Sequence, residues 1–526
     1  MTQPPAPRPD SDWRPAGNPW LIAVVVTLAA FMEVLDTTIV NVALPHIAGT
    51  LSVSYDEATW ALTSYLVSNS IVLPISAFFG RLLGRKRYFV ICIGAFTVCS
   101  FLCGISANLP QLIIFRVLQG FFGGGLQPNQ QSIILDTFPP SQRGRAFSLT
   151  AVATVVAPVL GPTIGGWITD NYSWRWVFFI NVPFGLLATF AVITLVQDPP
   201  WAKKAQRASI DYIGIGLIAL TFASLQIMLD RGEDADWFSS GFIRAFAALA
   251  AVGAAGACGW LLYTRKPVVD LRVLKDRNFA LGSLAIGCFA MILYGSAILI
   301  PQLAQQHLGY TALLSGLVLS PGALAIIFLI PVISLAMPHM QTRYFLTVGF
   351  LVLGCAMLFS RRLTPDIDFP HLVLLRASQS LGIGFLFVPA SVLAYQTVPQ
   401  HLRGDATALF TMFRNVAGSI GISLSTAAVT ARSQVHMAYL SSHLSQANPN
   451  FRQTLSQAAA AIKGLGTVAG DATQAATGQL ERTLIAQAGF LAYIDVFLYC
   501  AIVAFAFVPL TFFFSPVKAS GGPGAG

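Results

Sequence analysis

The sequence predicts an all-α, polytopic membrane protein of fourteen spans, and three observations carry that prediction. Of its 526 residues, 55% are hydrophobic and only 10% charged, with a mean hydropathy of +0.68. A soluble chain of this length needs a larger polar share to cover its surface. Apolar runs long enough to cross a bilayer as helices follow one another from end to end. Part of the second half repeats the first at one constant offset, as in duplicated transport bundles.

The runs fall at 20–45, 58–80, 88–107, 109–135, 146–169, 176–197, 212–230, 243–263, 278–303, 311–337, 344–360, 370–396, 406–430 and 489–514. An even count puts both termini on one side. With the N-terminus cytoplasmic, the inner segments hold nineteen Lys and Arg, among them Arg81, Arg85, Lys86, Arg87, Arg143 and Arg403, against five in the short outer ones. That asymmetry places both ends inside. It also accounts for the net charge of +9, so nucleic-acid binding is set aside. The tail 1–19 is polar and proline-rich, and the run after it is longer than a signal-peptide core, so it should stay as an anchor. The seven cysteines all lie in apolar runs and the seven histidines in or beside loops. Neither a disulfide framework nor a metal site is predicted.

The first run carries Glu33 and Asp36, whose i, i+3 spacing puts both on one side of a helix, with Thr37 and Asn41 extending the stripe. A carboxylate at that depth costs from a few to more than ten kcal/mol, so it persists where it faces a protein interior or wet cavity and has a task. Arg116 lies inside the fourth run. By helical rise, it and Asp36 sit roughly 10 and 13 Å below the outer surface, close enough for a guanidinium to bridge. A permanent clamp and a proton switch both fit such a pair. In a switch, desolvation and the Arg pull the carboxylate in opposite directions, and both change as the site opens.

The repeat runs from Leu112–Ala146 to Leu372–Ala406. Arg116 and Arg376, Gln119 and Gln379, Pro139 and Pro399, Arg143 and Arg403, and Gly144 and Gly404 all match at an offset of 260 without a gap. This divides the chain into a tail (1–19), a six-span bundle (20–200), two inserted spans (201–270), a second six-span bundle (271–514) and a disordered tail (515–526). The positions 260 beyond Glu33 and Asp36 are Leu293 and Ser296, so only the first half has the carboxylates.

Run five holds APVLGPTIGG at 157–166, where Pro158 and Pro162 bend the helix and Gly161, Gly165 and Gly166 permit close contact, a hinge or a tight seal. Run four carries a small, polar face with Gln119, Gln127, Asn129 and Gln130. These, with Asn41 and Gln379, are the candidate cavity wall. Arg414 and Asp495 also lie inside runs. They are too far apart in depth to pair, and either can snorkel or bond a backbone carbonyl. The outer loop 431–488 is rich in Ala, Gln, Ser and Thr, with helical stretches at 454–463 and 473–487; a solvated cap and a docking surface fit it equally. The segment 267–278 mixes basic and apolar residues, as an interfacial helix does.

Several stretches resemble the major facilitator superfamily, specifically its fourteen-span drug:proton antiporters of the EmrB type. LDTTIVNVALP at 35–45 is similar to the family's first-span motif, RVLQG at 116–120 to its fourth-span proton-linked motif and GPTIGG at 161–166 to its antiporter motif. SWRWVFFINVPFG at 173–185 and SLQIMLDRGEDADWF at 224–238 are closer still to the EmrB type. In the inner-loop gate, Gly84, Arg85 and Lys86 match, but Arg81 and Leu82 stand where the general pattern has Asp and Arg.

The resemblance implies a major facilitator fold of 6+2+6 helices in a bacterial inner membrane. It implies alternating access and export of hydrophobic or amphipathic drugs for protons, with Asp36, Glu33 and Arg116 in the proton step and no cofactor beyond the proton gradient. It also implies a periplasmic adaptor and an outer-membrane channel, with 431–488 as the natural contact. A dedicated exporter of a metabolite, lipid or siderophore is the alternative, and a membrane enzyme or receptor a more distant one, since no convergent nucleophile set appears.

Overall fold

A computed structural model describes residues 15–199, 210–444, 448–463 and 469–515. Most of both tails and the basic stretch 201–209 therefore lie outside the described residues. The elements are helices joined by short turns: α1 (Pro19–Leu51), α2 (Trp60–Leu83), α3 (Arg85–Gly104), α4 (Leu109–Gly123), α5 (Leu126–Thr137), α6 (Arg143–Asn171), α7 (Asn181–Leu195), α8 (Tyr212–Arg231), α9 (Gly241–Tyr263), α10 (Arg277–His307), α11 (Ala312–Ala336), α12 (Thr342–Phe359), α13 (Phe369–Gly384), α14 (Phe387–Gln396), α15 (Arg403–Ser441), α16 (Pro449–Lys463) and α17 (Ala469–Phe507). Among the described residues, twelve helices or helix pairs are long and apolar enough to cross a membrane. The bent α6 makes a thirteenth. The one remaining expected crossing, 406–430, lies in the 39-residue α15, which carries Arg403, Asp405 and Arg414.

Local chemistry sets the helix limits. Asn18 caps α1 by accepting the Trp20 amide at 2.9 Å, and Pro19 follows where no intrahelical donor is needed. The helix passes Pro45, where its apolar run stops, because Ile47 is buried beside Ala58, Ala61 and Trp174. The fourth and twelfth runs each break into two helices, α4–α5 at Gly124–Gly125 and α13–α14 at Phe385–Leu386. α6 bends by 43° between Pro158 and Leu160, as prolines at 158 and 162 require. The segment 267–278 departs from the expected interfacial helix. It is one 3₁₀ turn, Leu271–Lys275, because Val268, Val269 and Val273 are pulled into the core.

The duplication is visible in the packing. α1 and α10, the first helices of the two halves, are each 72% buried over their apolar core, more than any other crossing. α6 packs on α11 and α2 on α15, which are repeat-related pairs across the interface between halves. The inserted α8 rests on α2 and α15, and α9 rests mainly on α8. Only 28% and 22% of their apolar windows are buried, which leaves an outer face suited to lipid. Among its described residues, the 431–488 loop is mostly helical: α15 runs on to Ser441, α16 follows, and α17 begins at Ala469.

Small residues let α4 touch α2. A Cβ on Gly120 would sit 2.4 Å from the Tyr65 carbonyl oxygen, and one on Gly124 2.7 Å from that of Asn69. Gly120→Ala should therefore overpack this seam at a cost of about 1–3 kcal/mol. A thermal midpoint in detergent equal to that of the unaltered protein would contradict the packing described.

Candidate functional site

Asp36 is fully buried and accepts three hydrogen bonds, two from α4 and one from α7. Arg116 Nη1 donates to Oδ2 at 2.6 Å, Gln119 Nε2 to Oδ1 at 3.0 Å, and Asn181 Nδ2 to Oδ1 at 2.8 Å. Arg116 is equally buried and is itself positioned: its Nε donates to the Ala61 carbonyl at 2.9 Å, and its guanidinium lies 4.1 Å from the Tyr65 ring centroid. Asn181 is held in turn by Ser100 at 3.0 Å. A buried pair of this kind is stable only with such supporting donors, and removing one partner leaves a costly lone charge.

Glu33, one turn away, has a different setting. Gln127 Nε2 donates to its Oε2, Asn69 Nδ2 to Oε1 at 3.0 Å, and the Tyr65 hydroxyl lies 3.5 Å from Oε1. Among the described residues, no guanidinium bonds it. Arg414, from the other half, instead donates through Nη2 to Gln127 Oε1. Gln127 is thus a bridge from Glu33 across the interface. Arg414 neither snorkels nor bonds a backbone carbonyl, the two roles the sequence suggested. It is 1% exposed, because α15 packs against α5 at that depth.

The end of the bundle rich in Lys and Arg is closed. Arg81 Nη1 holds both Asp405 oxygens across the interface, at 2.7 and 2.6 Å, and Arg81 Nη2 donates to the Val268 carbonyl at 2.9 Å. Arg85 pairs with Asp136, which Arg403 approaches at 3.4 Å from the other half. Ser132 meets Thr407 and Tyr395 donates to Gln131, both at 2.6 Å. Gly84, at φ 85°, makes the turn that only glycine adopts freely, and Lys86 Nζ donates to the Ile193 carbonyl at 2.6 Å. The unusual Arg81 is therefore answered by an acid on the facing helix, and charge pairs still close this end. Arg81→Asp should cut activity several-fold by setting two carboxylates face to face, and Arg81→Asp with Asp405→Arg should restore it. A double variant no better than the single one would remove this pair from the gate.

The remaining expectations divide. Gln119 and Gln127 reach the carboxylates. Gln130 does not: it donates to Thr27 at 3.2 Å and Thr150 at 2.6 Å, tying α5 to α1 and α6. Asn129 lines a cavity of about 30 Å³ at the closed end, beside Gly80 and Arg81. Asn41 is exposed because it lies on the outer side of α1, while Val40, Ala43 and Leu44 on the same stretch are buried. Asp495 pairs with Arg432 at 2.7 Å and His436 at 2.8 Å, joining α17 to α15 outside the core of the bundle.

Gly161 and Gly165 seat α6 directly on α1 beside Asp36. A Cβ on the first would meet Thr38 Oγ1 at 2.1 Å, and one on the second Ile39 Cγ1 at 2.9 Å. Gly166 makes no such close approach, with Val42 at 3.9 Å.

Asn181, Asn69 and Tyr65 escaped the sequence reading. A lone Asn among the apolar residues 176–188 was the available signal for the first.

In the second half Arg376 Nη1 donates to Ser296 Oγ and Gln379 Oε1, both at 3.0 Å, and Gln379 Nε2 to Ser360 Oγ at 3.0 Å. Each of these positions matches its first-half counterpart, Arg116, Asp36, Gln119 and Ser100, with serine where the acid stood.

Comparison with known proteins agrees with this duplicated architecture. The family profile described as the Major Facilitator Superfamily matches residues 26–422. The chain belongs to that superfamily. Within it, the relatives are of the EmrB type. The multidrug export protein EmrB of Escherichia coli (strain K12) is 34% identical over 96% of this chain and 97% of its own length. The EmrB of Haemophilus influenzae is 38% identical over 82% and 84%, and the fatty acid resistance protein FarB of Neisseria gonorrhoeae 33% over 96% and 97%. Two solved structures share the fold. A bacterial homologue of the lysosomal transporter Spinster has a TM-score of 0.52, at 16% identity over 96% of this chain and 99% of its own. The human organic anion transporter MFSD10 scores 0.56, at 13% identity over 92% and 99%. As a member of this family the chain is a transporter, not an enzyme.

Proposed function

We propose that this protein exports hydrophobic or amphipathic compounds from the cytoplasm or inner leaflet in exchange for protons, by alternating access. The observation that carries the reading is Asp36, buried in a central helix beside the interface and neutralised by Arg116, with no acid at the matching position of the other half. Protonating Asp36 cancels its attraction for Arg116 and frees the Gln119 and Asn181 amides. α1 is then loosened against α4 and α7, and the change reaches the interface between halves through α6, which packs on both α1 and α11. Glu33, bridged to Arg414 through Gln127, couples the same event to the second half. One proton entering down 100 mV supplies about 2.3 kcal/mol, enough to move a neutral compound against a substantial gradient.

The names of the EmrB relatives support drugs as cargo. On this reading the chain has fourteen spans in a bacterial inner membrane, with both termini and the Arg81–Asp405 gate cytoplasmic. The helical 431–488 region is periplasmic and meets an adaptor protein leading to an outer-membrane channel. Proteoliposomes with an imposed pH gradient test the proposal: acid on the side opposite the termini should drive drug movement toward it. Equal movement without a gradient would defeat it.

A further inference from the structure

Arg376 is 3% exposed yet forms no ion pair among the described residues, and its Nε has no hydrogen-bond partner. Its side-chain hydrogen bonds among the described residues go to Ser296 Oγ and Gln379 Oε1, both from Nη1. A buried guanidinium without a counter-ion is costly, and the costliest part is the unmet charge. The first half solves the same problem with Asp36, whereas serine stands there in the second. Arg376 lines a partly open cavity of about 10 Å³, room for about one water. Apart from Ser380 and Tyr294, its walls are apolar: Val155 and Pro158 from the first half, and Leu293, Leu319, Ala323 and Ile326 from the second. The walls belong to both halves, so a movement that parted the halves would open the cavity.

We infer that Arg376 and this cavity form a binding site for anionic amphiphiles, with Arg376 taking a carboxylate head and the apolar walls taking the attached chain. This deepens the export reading and rests on it for the direction of movement, but binding itself does not depend on it. The cargo supplies the counter-ion that the second half lacks. An anion bound there places charge complementarity on both sides of the interface at once: Asp36 with Arg116, and cargo with Arg376.

The test uses the purified full-length protein in neutral detergent and a fluorescent probe, 11-(dansylamino)undecanoic acid, against its methyl ester. A charge-assisted bond in a buried site is worth about 1.5–3 kcal/mol, so the acid should bind at least about tenfold tighter than the ester. Arg376→Gln should erase that preference and Arg376→Lys should keep part of it. Ser296→Asp provides the internal carboxylate that the first half has, and should erase the preference too. If Arg376→Gln cannot be purified folded, Ser296→Asp decides. Equal binding of acid and ester by the unaltered protein, or an unchanged preference in these variants, overturns the site. A clear preference in a protein that moves nothing under a pH gradient would instead sink the export reading alone.

Discussion

Asp36→Asn abolishes proton-driven export while the protein still inserts and folds. The amide keeps the size of the acid and can still accept from Gln119 or Asn181, so the helix seam around α1 survives. What disappears is the group that gains and loses a proton. Arg116 is left as a buried cation facing an amide, with its Nε still on the Ala61 carbonyl and its plane still against Tyr65. Breaking such a pair costs about 3–5 kcal/mol in favourable cases. A lowered thermal midpoint should therefore accompany the loss. Arg116→Gln in the same background removes the orphaned charge and should recover stability without recovering transport. Export at the normal rate by Asp36→Asn would take this residue out of the mechanism.

The second large effect is steric. Gly161→Val puts a branched side chain where Thr38 Oγ1 stands only 2.1 Å from a bare Cβ. α6 must then move off α1 within one turn of Asp36. Overpacking of this sort costs about 1–3 kcal/mol, but the functional loss should be near complete because the seam forms one wall of the site. Thr38→Gly removes the clashing hydroxyl and Cβ, leaving the Thr38 backbone carbon at 3.2 Å as the nearest contact. Gly161→Ala should therefore be inactive alone and partly active with Thr38→Gly. Full activity of Gly161→Val in a dye-export assay would mean the two helices do not stay sealed.

How much of this was legible beforehand depends on how far each contact reaches. The all-helical membrane architecture and the meeting of Asp36 with Arg116 follow from hydropathy, spacing and depth, which are properties of single helices, and the duplication follows from matching residues at one offset. Of the fourteen expected runs, twelve or, with the bent α6, thirteen are long and apolar enough to cross among the described residues. Even there, the hydropathy pattern placed one run at 370–396 where the backbone breaks into α13 and α14. The support around the acids was not legible. Tyr65 and Asn69 reach Glu33 because Gly120 and Gly124 let α4 press on α2, and a stripe of small residues does not name its partner. Asn41 was placed on one stripe with Asp36 yet is exposed, because five residues on, it has rotated off the inward face that Val40, Ala43 and Leu44 occupy. Arg414 sits nearer the basic end by count, and only the crossing of α15 over α5 brings it to Gln127. Arg81 broke the inner-loop pattern, and its answer, Asp405, lies on the facing half, more than three hundred residues away along the chain.

The most direct test is proton release on substrate binding. Purified protein in weakly buffered detergent solution, titrated with a hydrophobic cation such as ethidium, should release protons into solution, and Asp36→Asn should release fewer or none. Release of the same amount by that variant, or none by the unaltered protein with any exported compound, would contradict proton exchange at this site.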